Sequence, residues 1–186
     1  MATYTVIPQS TFDNLQLDAG VLLTTFDPSS PAAPADANII CATTGGIAIN
    51  ATPTFSDLGE DVDNCPNNMK ELKHLDSWEC TITFTCLTAS VNAIKLALGA
   101  ADVTAGTSKI VPRRDLDQND FNDIWWVGDL ADGGAVAVKL INALSTGGFQ
   151  LQTTKNGKGQ SSVTLTGHVS LSAQTVMPME IYVISA

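Results

Sequence analysis

One run constrains the fold of this chain more than any other: Trp78-Glu79-Cys80-Thr81-Ile82-Thr83-Phe84-Thr85-Cys86. Even positions are apolar and odd positions are polar. A period of two sends alternate side chains to opposite faces of an extended backbone, so residues 76 to 87 read as a half-buried strand. Cys80 and Cys86 then lie six steps apart, roughly 20 Å at about 3.3 Å per residue. A disulfide needs Cα atoms within about 7 Å, so these two do not pair. With Cys41 and Cys65 they show none of the close spacings of a zinc site. The four are read as small core hydrophobes in a reducing compartment.

The rest of the chain extends the β signal. Asn38-Ile39-Ile40-Cys41 and Ile47-Ala48-Ile49 flank Thr43-Thr44-Gly45-Gly46, a hairpin signature. Lys109–Pro112, Ile124–Val127, Ala135–Ile141 and residues 148–153, 161–171 and 179–184 read as further strands. In 161–171, Val163, Leu165, Val169 and Leu171 take one face. Asn156-Gly157 is a turn dipeptide. Leu87, Val91, Ile94 and Leu98 fall at helical spacing, with Gly99 as a stop and Thr88 or Ser90 as a cap. The expected fold is mostly β: a sandwich or barrel of about eight strands with one short flanking helix. Residues 1–37, with the stiff linker Pro28–Pro34, read as an arm; residues 38–186 read as one domain. Residues 54–74 form a long excursion, which in a compact domain is either disordered or functional.

Composition enters mainly by exclusion. The 186 residues carry 9 Lys+Arg against 19 Asp+Glu, a net charge of −10. That balance disfavours binding to nucleic acid through phosphate contacts and docking on anionic lipid. No apolar run is long enough to span a bilayer, and no secretory signal is visible, so synthesis in a cytoplasm is expected.

No catalytic constellation emerges. Asp115-Leu116-Asp117-Gln118-Asn119-Asp120 opens like a calcium loop but has Asp120 where glycine is needed and Trp126 where the closing glutamate belongs. Asn156-Gly157-Lys158-Gly159 lacks the spacing of a phosphate loop. His74 and His168 stand far apart, near no nucleophile motif. The expectation is no enzyme, no cofactor and no metal. Trp125-Trp126 point to opposite faces of a strand. One takes the core; the other needs a second cover, from a partner subunit, from sheet curvature or from the helix.

Several stretches resemble the major tail protein, or tail tube protein, of long-tailed (siphovirus-type) bacteriophages of Gram-positive hosts. They are Leu17–Leu23, Ile40–Gly46, Phe55–Asn68, Lys70–Lys73, Ile124–Asp129 and Leu144–Thr153. The resemblance covers most of the chain from residue 17 onward. It implies a structural virion protein in which six copies close into a ring and rings stack into the tail tube, a conduit for DNA ejection. Its implied partners are copies of itself, tape measure, tail terminator and distal tail proteins, and DNA in transit. Some relatives carry a further C-terminal immunoglobulin-like domain; none is expected here.

The resemblance also implies site residues. The excursion reaches a neighbouring ring or subunit, through Asp57, Leu58, Gly59, Glu60, Asp61, Asp63, Asn64, Pro66, Asn67, Lys70 and Glu71. If Trp78, Ile82 and Phe84 face the core, then Glu79, Thr81, Thr83 and Thr85 face the bore. Six copies at −10 each make roughly −60 per ring. That acidity either lines a DNA-repelling bore or sits on the outer wall as solubility charge. The alternatives are a non-enzymatic β-sandwich binding or adhesive virion module, and the inner tube of a contractile tail or injection system.

Overall fold

The computed structural model describes residues 7–185. Among these the chain forms α1 (Ser10–Asp13), β1 (Gln16–Leu23), β2 (Thr43–Asp57), β3 (Lys73–Cys86), α2 (Val91–Leu98), β4 (Ala101–Thr104), β5 (Lys109–Pro112), β6 (Asn122–Leu130), β7 (Ala135–Ser145), β8 (Gln150–Gln152), β9 (Gln160–Thr166) and β10 (Met179–Ile184). Eight strands form one antiparallel sheet in the order β1-β6-β7-β9-β3-β2, with β10 on β7 and β8 on β9; β4 and β5 pair apart. The mostly β architecture with one flanking helix is therefore as the sequence predicts.

The sheet folds over on itself at β7. Ala135–Leu140 of β7 pair with β10, whereas Leu144 and Ser145 pair with β9. One half is thus β1, β6, β7 and β10, and the other is β2, β3, β9 and β8. The main core lies between them: Leu22, Ile124, Trp126, Val138 and Leu140 from the first half meet Cys80, Ile82, Phe84, Val163 and Leu165 from the second. Each fully buried aliphatic side chain contributes roughly 1.5–3 kcal/mol. The helix α2 adds Ala93 and Ala97 to this core. Ser90 caps it by accepting the Ala93 N–H at 3.1 Å, and Gly99 ends it.

Four expectations need correction. The hairpin around Gly45-Gly46 is absent. Both glycines have positive φ (76° and 85°) but form a bulge inside a continuous β2, between the pairs Thr44–Thr85 and Ile47–Phe84. Ile39 instead bridges to Leu23. The excursion is narrower than 54–74, because β2 runs to Asp57 and β3 starts at Lys73. The strand at 161–171 stops at Thr166, leaving Val169 and Leu171 exposed. Trp78 has the parity of the core face but is 38% exposed, because β3 has run past the end of the core there.

β1, inside the expected arm, is a strand of the sheet paired to β6. Its register shifts between Leu17 and Val21. The bulge there carries Gly20 at φ 66°, where a Cβ would stand 2.5 Å from the Val127 carbonyl and 2.6 Å from the Trp126 indole nitrogen. That indole N–H donates to the Ala19 carbonyl at 2.9 Å, so the bulge and the core tryptophan fix each other.

Candidate functional site

Directly paired residues share a face of a sheet, so the register defines the surface opposite the core. On β3 that surface carries Ser77, Glu79, Thr81, Thr83 and Thr85. On β2 their partners are Thr54, Thr52, Asn50, Ala48 and Thr44. On β9 it continues through Thr166, Thr164 and Ser162, and on β8 through Gln150 and Gln152. Glu79 is the single ionisable side chain on this surface between Ser77 and Thr85, although the chain carries 19 carboxylates. Thr83 donates its hydroxyl to Thr164 at 3.4 Å, and the Thr146 and Thr166 hydroxyls lie 2.9 Å apart. The outer strands are exposed and the central threonines half-buried. Glu79, Thr81, Thr83 and Thr85 all face away from the core, with Glu79 at the open end of this surface. The sequence reading missed its β2 and β9 members. The alternation Asn50-Ala51-Thr52-Pro53-Thr54 and the run Ser162–Thr166 carried that signal.

Beyond Cys80 the structure changes character. β9 pairs β3 only from Thr81 to Cys86, so Lys73–Cys80 have β2 as their single partner. The two strands leave the sandwich as a two-stranded ribbon, and every residue from Lys73 to Glu79 is exposed. A register shift between Thr54 and Phe55 pairs Phe55 with Leu75. It turns Leu75 to the side already held by Pro53, Phe55 and Trp78, because Asp76 is left without a partner on β2. The ribbon is therefore amphipathic: its apolar side extends the core face and its polar side extends the hydroxyl wall.

The predicted contact residues sit at the ribbon's end. Asp57 closes β2 and organises the tip. One carboxylate oxygen accepts the Gly59 N–H at 3.0 Å and the other accepts the Asn68 N–H at 2.7 Å. The Asn68 bond first, then the Gly59 bond, hold the Asp57 carboxyl below its ordinary range. The Leu58 N–H donates to the Leu72 carbonyl at 2.9 Å and shuts the base of the loop. Asp61, Asn64 and Asn68 take the left-handed conformation, which Asn and Asp tolerate best among side-chain residues. Leu58, Glu60, Asp61, Asp63, Asn64, Pro66, Asn67, Lys70 and Glu71 are exposed around this frame, while Gly59 is buried within it. Lys70 and Glu71 pair at 3.5 Å with both ends in solvent, worth little in stability.

The opposite outer face differs. Trp125, Leu23 and Ala137 form a second buried cluster there. Phe26 meets Trp125 edge-on at 5.6 Å, Tyr182 lies at 5.6 Å, and Lys139 stands over the ring at 5.6 Å while pairing with Asp123 at 2.8 Å. Trp125 is thus covered by its own chain, through the segment after β1 and through β10. Neither a partner nor the helix is needed.

The motifs set aside on spacing have structural roles. Asp117 and Asp120 cap a short 3₁₀ turn, and the buried Asp120 is held by Arg113. Among the described residues no cluster of His, Cys, Asp and Glu is arranged to hold a metal ion. His168 packs edge-on against Phe121 at 5.3 Å, with its Nδ1 3.1 Å from the Asn142 carbonyl. His74 lies on the ribbon, 4.0 Å from Asp76. A cleft of about 530 Å³ between α2 and the start of β6 is lined by Asn92, Lys95, Asn119 and Asp123 and by neither histidine.

No family model and no curated relative matches the sequence. Among solved structures the chain is similar to a chain of the anti-feeding prophage cap, the AFP tube terminating cap seen by cryo-EM. The two share 13% identity over 98% of this chain and 95% of that one, at a TM-score of 0.49. A likeness at that level carries no argument about what this chain does.

Proposed function

We propose that this chain is the subunit of a phage tail tube. Copies self-assemble into stacked hexameric rings, and the bore conducts DNA. The face of β2, β3, β9 and β8 lines that bore. The ribbon and its tip reach a neighbouring copy in the same or the next ring. The subunit works in the virion alongside tape measure, terminator and distal tail proteins, and has no catalytic role.

One observation carries this reading: a four-strand wall of hydroxyl and amide side chains stays open to solvent, while on the matching face of the other half the apolar cluster around Trp125 is sealed by the chain itself. A binding face for a rigid ligand usually presents aromatic anchors or a convergent polar pocket. This face presents neither. Its hydroxyls hold water and offer DNA no cation, so no counterions are released and no phosphate is gripped. Glu79 adds repulsion of the same sign as the phosphates. The bore is therefore nearly neutral and wetted, and most of the net charge lies elsewhere. Unpaired edges at β2 and at the ribbon suit a chain that meets its own copies, since ring closure hides strands otherwise exposed. The family resemblance of the sequence points the same way.

The test is to concentrate the purified protein and examine it by negative-stain electron microscopy beside light scattering. Rings or hollow tubes with a stain-filled bore are expected. A monodisperse monomer at every concentration, even when seeded with assembled tails, would overturn the proposal.

A further inference from the structure

We infer that the free edge of β10 is the seat on which the ribbon of a second copy docks; this names the partner surface of the tube reading and rests on it. Ile181 pairs with Val138 and Val183 with Val136, so both point to the core side of the sheet. Yet Ile181 is 63% and Val183 73% exposed. Among the described residues no second layer lies over them. The topology explains the gap. β9 and β10 follow one another along the same edge of β7, at Leu144–Ser145 and at Ala135–Leu140. β3 reaches the end of β9, where the Cys80 carbonyl accepts the Gly167 N–H at 2.9 Å. It then continues as the ribbon and pairs with β2 alone. The molecule thus lacks a layer over β10 and carries a surplus one in the ribbon.

The two surfaces match in kind and length. The ribbon presents Phe55, Leu75 and Trp78 on its apolar side, all exposed. Its free edge runs from Lys73 to Cys80, and the free edge of β10 runs from Met179 to Ile184. Each edge carries backbone donors and acceptors that a strand from another chain can satisfy. Charge agrees. Residues 169–179 hold no ionisable side chain. Glu180, opposite Lys139 and accepting the Tyr182 hydroxyl, is the acid of β10, and the ribbon edge offers Lys73 and His74 to it. The same edge also carries Asp76 and Glu79; beside β10 the uncharged stretch 169–179 leaves Glu180 as the one carboxylate they could meet. Covering the five named apolar side chains together with the uncharged stretch beside β10 removes on the order of 1,000 Å² from solvent, the threshold for a specific contact. Donor and acceptor are different surfaces, so the contact is head-to-tail and propagates.

The experiment uses two double variants of the full chain: Ile181→Lys with Val183→Lys on the acceptor, and Leu75→Lys with Trp78→Lys on the donor. All four positions are exposed, so folding is checked by circular dichroism and thermal midpoint. If the acceptor pair unfolds the chain, Ile181→Thr with Val183→Thr replaces it. Each variant alone is expected to raise the concentration at which assembly begins by roughly tenfold or more, a loss of at least one decade in affinity. Mixed one to one, they retain one intact donor and one intact acceptor, and dimers are expected by light scattering. Variants that assemble like the wild type overturn this docking site and leave the tube reading standing. A mixture that stays monomeric while each variant has lost assembly overturns the pairing of these two surfaces. A wild-type chain that never assembles overturns the tube reading and this inference with it.

Discussion

The two outer faces of this sandwich come from the same alternating strand chemistry and meet opposite fates. On β6, β7 and β10 the outward residues include Trp125 and Ala137, and the chain folds Phe26 and Tyr182 over them. On β2, β3, β9 and β8 the outward residues are threonine, serine, asparagine and glutamine, and among the described residues nothing is laid over them. The first face is there to stabilise the fold. The second is kept wet, and the stability that burial would add there is forgone. A face left open, flat in charge and adjacent to a projecting apolar ribbon is what the proposed assembly of copies would require.

The contrast can be broken by substitution. Trp125→Ala removes the centre of the sealed face and is expected to cost about 3 kcal/mol. For a chain of this size that lowers the thermal midpoint by roughly 6–12 °C. Thr83→Ala on the open face is expected to stay within about 0.5 kcal/mol. Equal losses at both sites in thermal unfolding would mean that the open face also serves stability. Glu79→Lys with Thr83→Lys tests the other side of the comparison. The fold and the tubes are expected to survive, but DNA is expected to be retained in a salt-dependent way and ejection slowed, because cations now meet phosphate. Normal ejection through such tubes counts against assigning this face to the bore.

A smaller effect is expected from pH at the ribbon tip. The Asp57 carboxyl is held below its ordinary value by the Asn68 and Gly59 N–H groups. A lowered carboxylate contributes stability above the unfolded-state value of about 3.9 and loses it as pH falls through the folded value. Amide exchange in residues 58–72 should therefore be unchanged between pH 7 and 5, after correction for intrinsic rates, and should accelerate below about pH 4. Asp57→Asn should remove that dependence. The smallest effect concerns the thiols. Cys65, half-buried at the tip, should react first with a maleimide. Cys41 should lag because burial and the neighbouring Cys86 push its thiol up, and Cys80 because burial does the same. Mass spectrometry of partially labelled protein reads the order.

What was legible in the sequence follows from which signals are local. The Cys80–Cys86 alternation identified a half-buried strand and both of its faces, because a period of two is a property of the strand itself. Gly45-Gly46 read as a turn because positive φ serves a hairpin and a bulge equally; the pairing of Thr44 with Thr85 decides between them, and pairing is not local. Most of β1 was hidden, apart from its end at Val21–Leu23, because Asp18 and Gly20, both at positive φ, interrupt its alternation. The tip residues were legible as an excursion between two strands, whereas the ribbon's apolar side was not. Phe55 keeps the core parity of Ala51 and Pro53, but the register shift beside it turns Leu75 over, and no count along the sequence shows where it falls. The strand at 179–184 was legible, but the exposure of Ile181 and Val183 was not: their pairing puts them on the core side, and only the end of β9 at Thr166 leaves them uncovered.

The central claim is that the hydroxyl face becomes the bore. The most direct measurement places a cysteine on it, Thr83→Cys with Cys65→Ser, and labels assembled tubes and dissociated subunits with a small maleimide and with a large polyethylene-glycol maleimide. The account predicts that both reagents reach residue 83 in free subunits, and that in tubes the small one still reacts while the large one is excluded. Equal labelling by the large reagent in intact tubes, confirmed hollow by electron microscopy, would place this face on the outside and contradict the account.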